Sequence, residues 1–296
     1  MYENILTAAN DAVWLCDRAK LDRIFAFLDA KASGVNLDAS AVQLAINERR
    51  SRQSPRTETL IGVLPIYGTI SQRVGMIEEF SGGVSTEQIG RDFDLMLREE
   101  SIGTIILEFD TFGGTYPGIP ELANKIYQAR DQKKIVAHVN AAAGSGGLWL
   151  AAAAGEVVIT PSGEAGSVGA YMRHVDQTGL NEELGIKYDY ISYGEFKTEG
   201  NPDEPLEDET REYLQGKVDR IGKEFEQALA KFRGVSLSKV QKDFGRGRML
   251  DAKQAVEVGM VDRIATFEQT IQRVAKPSGK TGKKNVESLR RRLNLT

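Results

Sequence analysis

Lys134-Ile-Val-Ala-His-Val-Asn-Ala-Ala-Ala-Gly-Ser-Gly-Gly-Leu-Trp-Leu-Ala-Ala-Ala-Ala154 changes character at Ser145. Lys134 to Asn140 reads as a buried strand, and Gly147 to Ala154 reads as a helix of small residues. Ser145 stands at the junction between Gly144 on one side and Gly146 and Gly147 on the other. No bulky neighbour there blocks the approach of a carbonyl group. A hydroxyl at a helix N-terminus also meets free backbone N–H groups that stabilise negative charge. A Gly-Ser-Gly run taken alone equally describes a loop capping a buried helix. Its company gives it weight: a glycine turn at Gly113-Gly114, Ser167 within Gly166-Ser-Val-Gly169, and Lys197.

Outward from this junction, strand and helix patterns alternate. Ile61-Gly-Val-Leu-Pro-Ile-Tyr67 and Thr104-Ile-Ile-Leu-Glu-Phe109 read as strands, as does Val157-Val-Ile159. Ser85-Thr-Glu-Gln88 offers a capping box to a helix carrying Ile89, Phe93, Leu95, Met96 and Leu97. Pro120 suits the first turn of a helix from Glu121 to Arg130. Ile186 to Tyr193 alternates apolar and polar residues like a further strand, and Leu206 to Phe232 is a long amphipathic helix. The alternation predicts an α/β fold around a parallel sheet.

The chain divides into three regions. Residues 1–55 form an N-terminal helical arm and linker, in which Ala12-Val-Trp-Leu15 and Leu21 to Leu28 fit helical spacing and Arg49 to Pro55 is polar. Residues 56–270 form the main domain. Residues 271–296 form a basic tail whose composition predicts no fixed structure.

Composition narrows the function classes. Apolar content of 41% and charged content of 27% are those of an ordinary globular protein. A net charge of −4 implies no general attraction to nucleic acid or to membrane surfaces. The single cysteine, Cys16, excludes an intrachain disulfide and fits a reducing compartment. No apolar run reaches the roughly 18 residues of a membrane span, and the start lacks a signal-peptide pattern. One cysteine and two isolated histidines make no metal cluster, and no glycine-rich run makes a phosphate loop. No cofactor is expected.

Five segments, in order, resemble the signal-peptide-peptidase A family of serine peptidases, which use a Ser/Lys dyad. Asp110-Thr-Phe-Gly-Gly114 is similar to that family's glycine turn, and Ala143-Gly-Ser-Gly-Gly-Leu-Trp149 to its nucleophile segment. Pro161-Ser-Gly-Glu-Ala-Gly-Ser-Val-Gly169 resembles its second-serine segment, and Tyr193-Gly-Glu-Phe-Lys-Thr198 its base segment. Arg248 to Asp262 resembles its closing helix and strand. The likeness runs from about Leu60 to Ile264.

The resemblance implies a crotonase-like stack of ββα units, shared with the Clp proteases. It also implies roles: Ser145 as nucleophile through an acyl-enzyme, Lys197 as base, and Ser167 positioning the lysine. Gly113, Gly114 and Gly146 would supply the oxyanion hole. Thr111 and Phe112 depart from the family's Ser-Pro, which predicts a looser turn. Among soluble relatives the chain most resembles the head maturation proteases of tailed phages, whose substrates are capsid or scaffold polypeptides in the prohead or host cytoplasm. A bacterial peptidase that clears signal peptides or protein remnants is the alternative enzyme. A non-catalytic crotonase-like scaffold or shell component is the alternative outside enzymes.

The residues set conditions on that chemistry. A serine hydroxyl needs a base. His138 lies mid-strand among apolar residues, whereas His174 has polar neighbours and stays open as a base. Without the resemblance, Lys197 reads as a surface lysine. To act as a base it must shed its charge near neutral pH, a shift of roughly three units or about 4 kcal/mol, which burial supplies. Tyr190, Tyr193 and Phe196 provide apolar cover, and Glu195, Glu199 and Asp203 must face away. The stripe Leu214, Val218, Ile221, Phe225 and Leu229, with the Phe80-Ser-Gly-Gly-Val84 loop, predicts a homo-oligomer that shields the lysine.

Overall fold

The computed structural model describes residues 14–16, 22, 26, 56–58, 61–73 and 83–275. In chain order the strands begin with β1 (Trp14–Cys16), β2 (Arg56–Glu58), β3 (Ile61–Tyr67), β4 (Ile70–Ser71) and β5 (Val84–Ser85). They continue with β6 (Thr104–Thr111), β7 (Gly113–Thr115), β8 (Lys134–Gly144), β9 (Glu156–Ile159), β10 (Glu164–Gly166), β11 (Met249–Asp251) and β12 (Arg263–Ile264). The helices are α1 (Thr86–Arg98), α2 (Ile119–Gln128), α3 (Gly146–Ala152) and α4 (Thr178–Leu184). They end with α5 (Asp208–Arg233), α6 (Leu237–Asp243), α7 (Ala252–Glu257) and α8 (Phe267–Ala275).

The strand–helix alternation produces the expected α/β fold. β3, β6 and β8 lie parallel and side by side at the centre of the larger sheet. A smaller sheet in the order β1-β7-β4-β5 sits at their C-terminal ends. A long strand, a short strand and a helix recur as β3–β4–α1, with β5 between, and as β6–β7–α2.

One face of the large sheet carries Leu64, Ile66, Leu107, Phe109, Ala137 and Val139 into the main core, with Phe93, Ile126, Trp149 and Phe225. The opposite face carries Ile61, Val63 and Ile106 against Phe267, Ile271 and Val274 of α8. These are the two sides of one period-2 pattern.

β8 organises the molecule. Its first half pairs with β6 and β9, and its last three residues pair with β10. Between them the register to β6 slips, from Phe109 opposite Val139 to Thr111 opposite Ala143. Such a bulge bends a strand and re-aims the residues beyond it. Here those residues are Ser145 and α3.

All seven residues of α3 are buried. Trp149 stacks on Phe225 of α5 with ring centroids 4.6 Å apart and planes 3° from parallel. The other end of α3 is closed by Arg130, whose Nη2 donates to Ala152 O (2.8 Å) and Nε to Ala153 O (2.7 Å). The same guanidinium reaches Phe232 O at the end of α5 (3.3 Å). A cation on two helix C-termini satisfies orphan carbonyls and opposes both dipoles.

Three expectations are changed. Ile186 to Tyr193 pairs with nothing as a strand and lies exposed, because its alternation has no sheet edge to join. Trp14 and Leu15 lie in a strand rather than a helix, and both are buried, so this part of the arm is not separate from the domain. Asp22 and Ala26 do lie in a helix. The remainder of the arm, most of the Phe80–Val84 loop and the basic tail beyond residue 275 fall outside the described residues. The amphipathic helix forms, but its buried apolar residues, Ile221, Phe225, Leu229 and Phe232, all lie in its C-terminal half.

His138 is wholly buried on the α8 side of β8. The Thr270 hydroxyl, which donates to Thr266 O (3.0 Å), lies 3.2 Å from its Nδ1, so the ring donates there and Nε2 has no partner. Burial pushes its pKa down to about 4 from 6.5. Between those values the unfolded chain takes up a proton that the native chain refuses. Stability is therefore full above pH 6.5, falls as pH drops, and levels off below about 4. The shift corresponds to about 3 kcal/mol. Urea unfolding at pH 7.5 and 4.5 should show that loss in the wild type, and His138→Gln should show less of it. Equal losses would contradict a neutral buried histidine.

Candidate active site

Ser145, between the end of β8 and the start of α3, has a conformation that ordinary residues avoid, with φ 50° and ψ −115°. Three described non-glycine residues have positive φ: Ser145, Ser167 and Arg246. Two of them are the serines singled out in the sequence. A strained residue costs of order 1–3 kcal/mol and persists only where its surroundings over-determine it. Here the Ser145 N–H donates to Gly166 O (2.7 Å) and Trp149 N–H donates to Ser145 O (3.0 Å). The result is a sharp strand-to-helix elbow of the kind that presents a nucleophile.

The two serines are brought side by side. β8 and β10 run parallel with Gly144 opposite Gly166, so Ser145 and Ser167 are neighbours at the strand ends. Ser167 has φ 56°, and its N–H donates to Arg248 O (2.8 Å) beside β11. The Ser145 hydroxyl donates to Gly169 O over a long 3.4 Å. Its weak engagement and 1% exposure leave an oxygen shielded from water yet not consumed by structure.

The glycine turn closes the other side. Thr111 is fully buried, and its hydroxyl donates to Gly68 O (2.5 Å) while accepting the Gly113 N–H (3.0 Å). These two bonds fasten the turn through the hydroxyl at the family's serine position. The second also occupies the Gly113 N–H, one of the three N–H groups expected to form an oxyanion hole. Side chains are excluded at both glycines of the turn. A Cβ on Gly113 (φ 95°) would lie 1.8 Å from Leu15 O, and one on Gly114 would lie 1.7 Å from Ile70 O.

Lys197 is elsewhere. It lies exposed in a loop, and no hydrogen bond or ion pair joins its ammonium to Ser145 or Ser167. Of the three acids near it in sequence, Asp203 accepts from Asn181 (2.9 Å) and Tyr190 (2.5 Å), and Glu199 accepts from Thr210 (3.4 Å). His174 Nε2 is 3.4 Å from Asn201 O, and His138 faces α8. Among the described residues no cluster of three or more His, Cys, Asp or Glu is placed to hold a metal ion.

Comparison with known proteins agrees with these segments. A family model described as peptidase family S49 matches residues 127–280, just over half of the chain. Capsid assembly protease C of Escherichia phage lambda is 28% identical over 273 residues, covering 90% of this chain and 62% of that protein. Head-tail preconnector protein GP5 of Enterobacteria phage P21 is 28% identical, covering 71% and 42%. A putative signal peptide peptidase of Enterococcus faecium is 27% identical, covering 60% and 52%. The chain thus spans about half the length of the curated relatives it matches.

Among solved structures, a mutant of the 1510-N membrane-bound stomatin-specific protease gives a TM-score of 0.46 at 15% identity, covering 73% of this chain and 85% of that one. A ClpP1 mutant from Listeria monocytogenes gives 0.44 at 15% identity, covering 77% and 98%.

The elbow has a measurable cost. Glycine adopts positive φ without strain, so Ser145→Gly should be more stable than Ser145→Ala by about 1 kcal/mol in urea unfolding, although glycine normally costs more. Equal or reversed stabilities would show that the backbone at this position is relaxed.

Proposed function

The chain belongs to peptidase family S49, and from that premise we propose that it hydrolyses peptide bonds with Ser145 as the nucleophile. One observation carries the reading: Ser145 is buried on a strained strand-to-helix elbow, with a hydroxyl held only by a long 3.4 Å bond to Gly169 O. The donors in this reading are the Gly114 and Gly146 N–H groups. Hydroxyl attack on a peptide carbonyl moves charge onto its oxygen. Donors fixed beforehand stabilise that charge without reorganisation, an effect of about 3–4 kcal/mol per donor. In this reading the Ser167 hydroxyl positions the base, and its support is the strand pairing that sets Ser167 beside Ser145.

The base in this reading is Lys197, brought to the serines by a second copy of the chain. The segment that carries it is the motive for assembly. Residues 172–207 are knit by polar bonds, such as Gln177 N–H to Pro202 O (2.7 Å) and Asn181 to Asp203 (2.9 Å). α4 has no buried residue, and Leu184, Tyr188, Ile191, Tyr193 and Phe196 are all more than half exposed. An apolar surface of this extent marks an interface. Burying it would strip water from Lys197, as a neutral amine requires.

The phage relatives favour capsid or scaffold polypeptides as substrates, cleaved in the prohead or host cytoplasm. Among the described residues no helix is long and apolar enough to cross a membrane.

A fluorophosphonate probe should label wild-type protein at Ser145, and casein should be digested. Ser145→Ala should lose both, to below about 1% of the wild-type rate. Lys197→Arg should be inactive because a guanidinium does not give up its proton, while His174→Ala keeps most activity. A dead histidine variant beside a live arginine variant would reassign the base. Ile191→Asp with Tyr193→Asp should shift the protein to monomers in sedimentation and lower activity at least tenfold. A fully active monomer would contradict the assembly.

A further inference from the structure

The slot above Ser145 is one strand wide, and part of this chain lies in it. β1 runs antiparallel to β7, with Leu15 opposite Gly114 and Cys16 opposite Gly113. On its other side Trp14 exchanges backbone hydrogen bonds with Tyr171, Trp14 N–H to Tyr171 O (3.1 Å) and Tyr171 N–H to Trp14 O (3.4 Å). Tyr171 is two residues beyond Gly169, whose carbonyl takes the Ser145 hydroxyl. β1 therefore bridges the two walls of the site.

Its register is specific. Consecutive residues of an extended strand turn their N–H and C=O to opposite sides. Trp14 uses its pair on Tyr171, so the Leu15 pair faces β7 and Gly114. The position a Cβ on Gly113 would take lies 1.8 Å from Leu15 O and 2.9 Å from Gly146 N. A Cβ on Gly146 would lie 3.3 Å from the same oxygen. One peptide carbonyl thus points into the space between Gly113-Gly114 and the residue after Ser145. The Leu15 side chain is wholly buried, and Trp14 is 1% exposed. A strand that only filled a sheet edge would need neither that carbonyl at that point nor so deep a seat for one leucine.

We propose that Trp14-Leu15-Cys16 is a substrate of this same site, and that Ser145 cleaves the bond between Leu15 and Cys16. This rests on the serine-peptidase reading above and adds what the site accepts: an extended peptide with an aliphatic residue before the scissile bond and a bulky apolar one preceding it. The Ser145 oxygen bonds to the Leu15 carbonyl carbon as its proton passes to the base, and the oxyanion is held by the Gly114 and Gly146 N–H groups. The Leu15–Cys16 bond then breaks, and the base returns the proton to the departing Cys16 amine. Water hydrolyses the ester, leaving a carboxylate on Leu15 and the hydroxyl on Ser145. The product that keeps the domain begins at Cys16, and its slot is open to other polypeptides.

The test tracks intact mass and N-terminal sequence during incubation of the full chain. Wild-type protein should lose everything before Cys16, and Ser145→Ala should stay whole. Leu15→Asp should slow the cleavage at least tenfold. Cys16→Pro, which makes the scissile amide tertiary, should block it and serves if Leu15→Asp does not fold. Probe labelling and casein digestion, measured on the same samples, separate this proposal from the peptidase reading. Wild type that labels and digests casein while Leu15–Cys16 stays whole would overturn the proposal alone. Absence of labelling, digestion and self-cleavage would overturn both. Cleavage at another bond, or equal cleavage in Ser145→Ala, would also overturn it.

Discussion

The left-handed turn of Ser145 is the constraint on which the other parts of the site depend. Ser145 joins a parallel strand directly to a helix at φ 50° and ψ −115°, a backbone region that residues with side chains rarely adopt. The chain meets this with glycines around the serine and with a bulge that bends β8 beforehand. Two backbone bonds then fix the elbow, one to β10 and one within α3. Each also shapes the candidate site. The bond to Gly166 sets Ser167 beside Ser145, and the helix that begins at Gly146 presents its first N–H toward the glycine turn.

Strain at one residue needs rigidity around it, and the packing supplies that. α3 is too short to be stable alone, since isolated helices of even about 12 residues are marginal in water. Its stability comes from burial of all seven residues, from the Trp149–Phe225 stack and from the Arg130 cap on its last carbonyls. Tyr116 fastens the same region. Its hydroxyl donates to Glu224 (2.7 Å), and its pKa is pushed up to about 12 by burial first and by the Glu224 carboxylate second. The phenol therefore stays neutral and keeps donating through the ordinary pH range.

The central strands, the long helix and the elbow were legible in the sequence because each is written in local pattern. Buried strands show as apolar runs, and Gly-Ser-Gly-Gly between a strand and a helix leaves few backbone solutions. Three features were not legible. Phe112 stands where the family has proline, and only the structure shows that Thr111, at the family's serine position, ties the turn to Gly68 O and to the Gly113 N–H. Ile186 to Tyr193 has strand alternation without a strand, because pairing depends on a partner edge the local sequence does not specify. Trp14 and Leu15 fit helical spacing in a cluster of four, yet a cleft offering hydrogen bonds on both sides draws them out as β1. Tertiary context overrides local propensity most easily in so short a cluster.

The halves of the proposed dyad rest on very different foundations. Ser145 and its neighbouring N–H groups sit at the centre of the largest core, where burial and hydrogen bonds leave one arrangement. Lys197 sits on a segment with no core of its own, whose apolar side chains face outward. Local stability tracks buried contacts, so the second half is the one free to move. If a neighbouring copy must order that segment, a lone chain carries a prepared nucleophile without its base. If β1 lies in the substrate slot as proposed, it adds a second restraint, because another polypeptide would have to displace it to reach Ser145. Assembly would complete the chemistry and removal of residues up to Leu15 would clear the path. The two events are naturally sequential, since the second needs the base that the first provides.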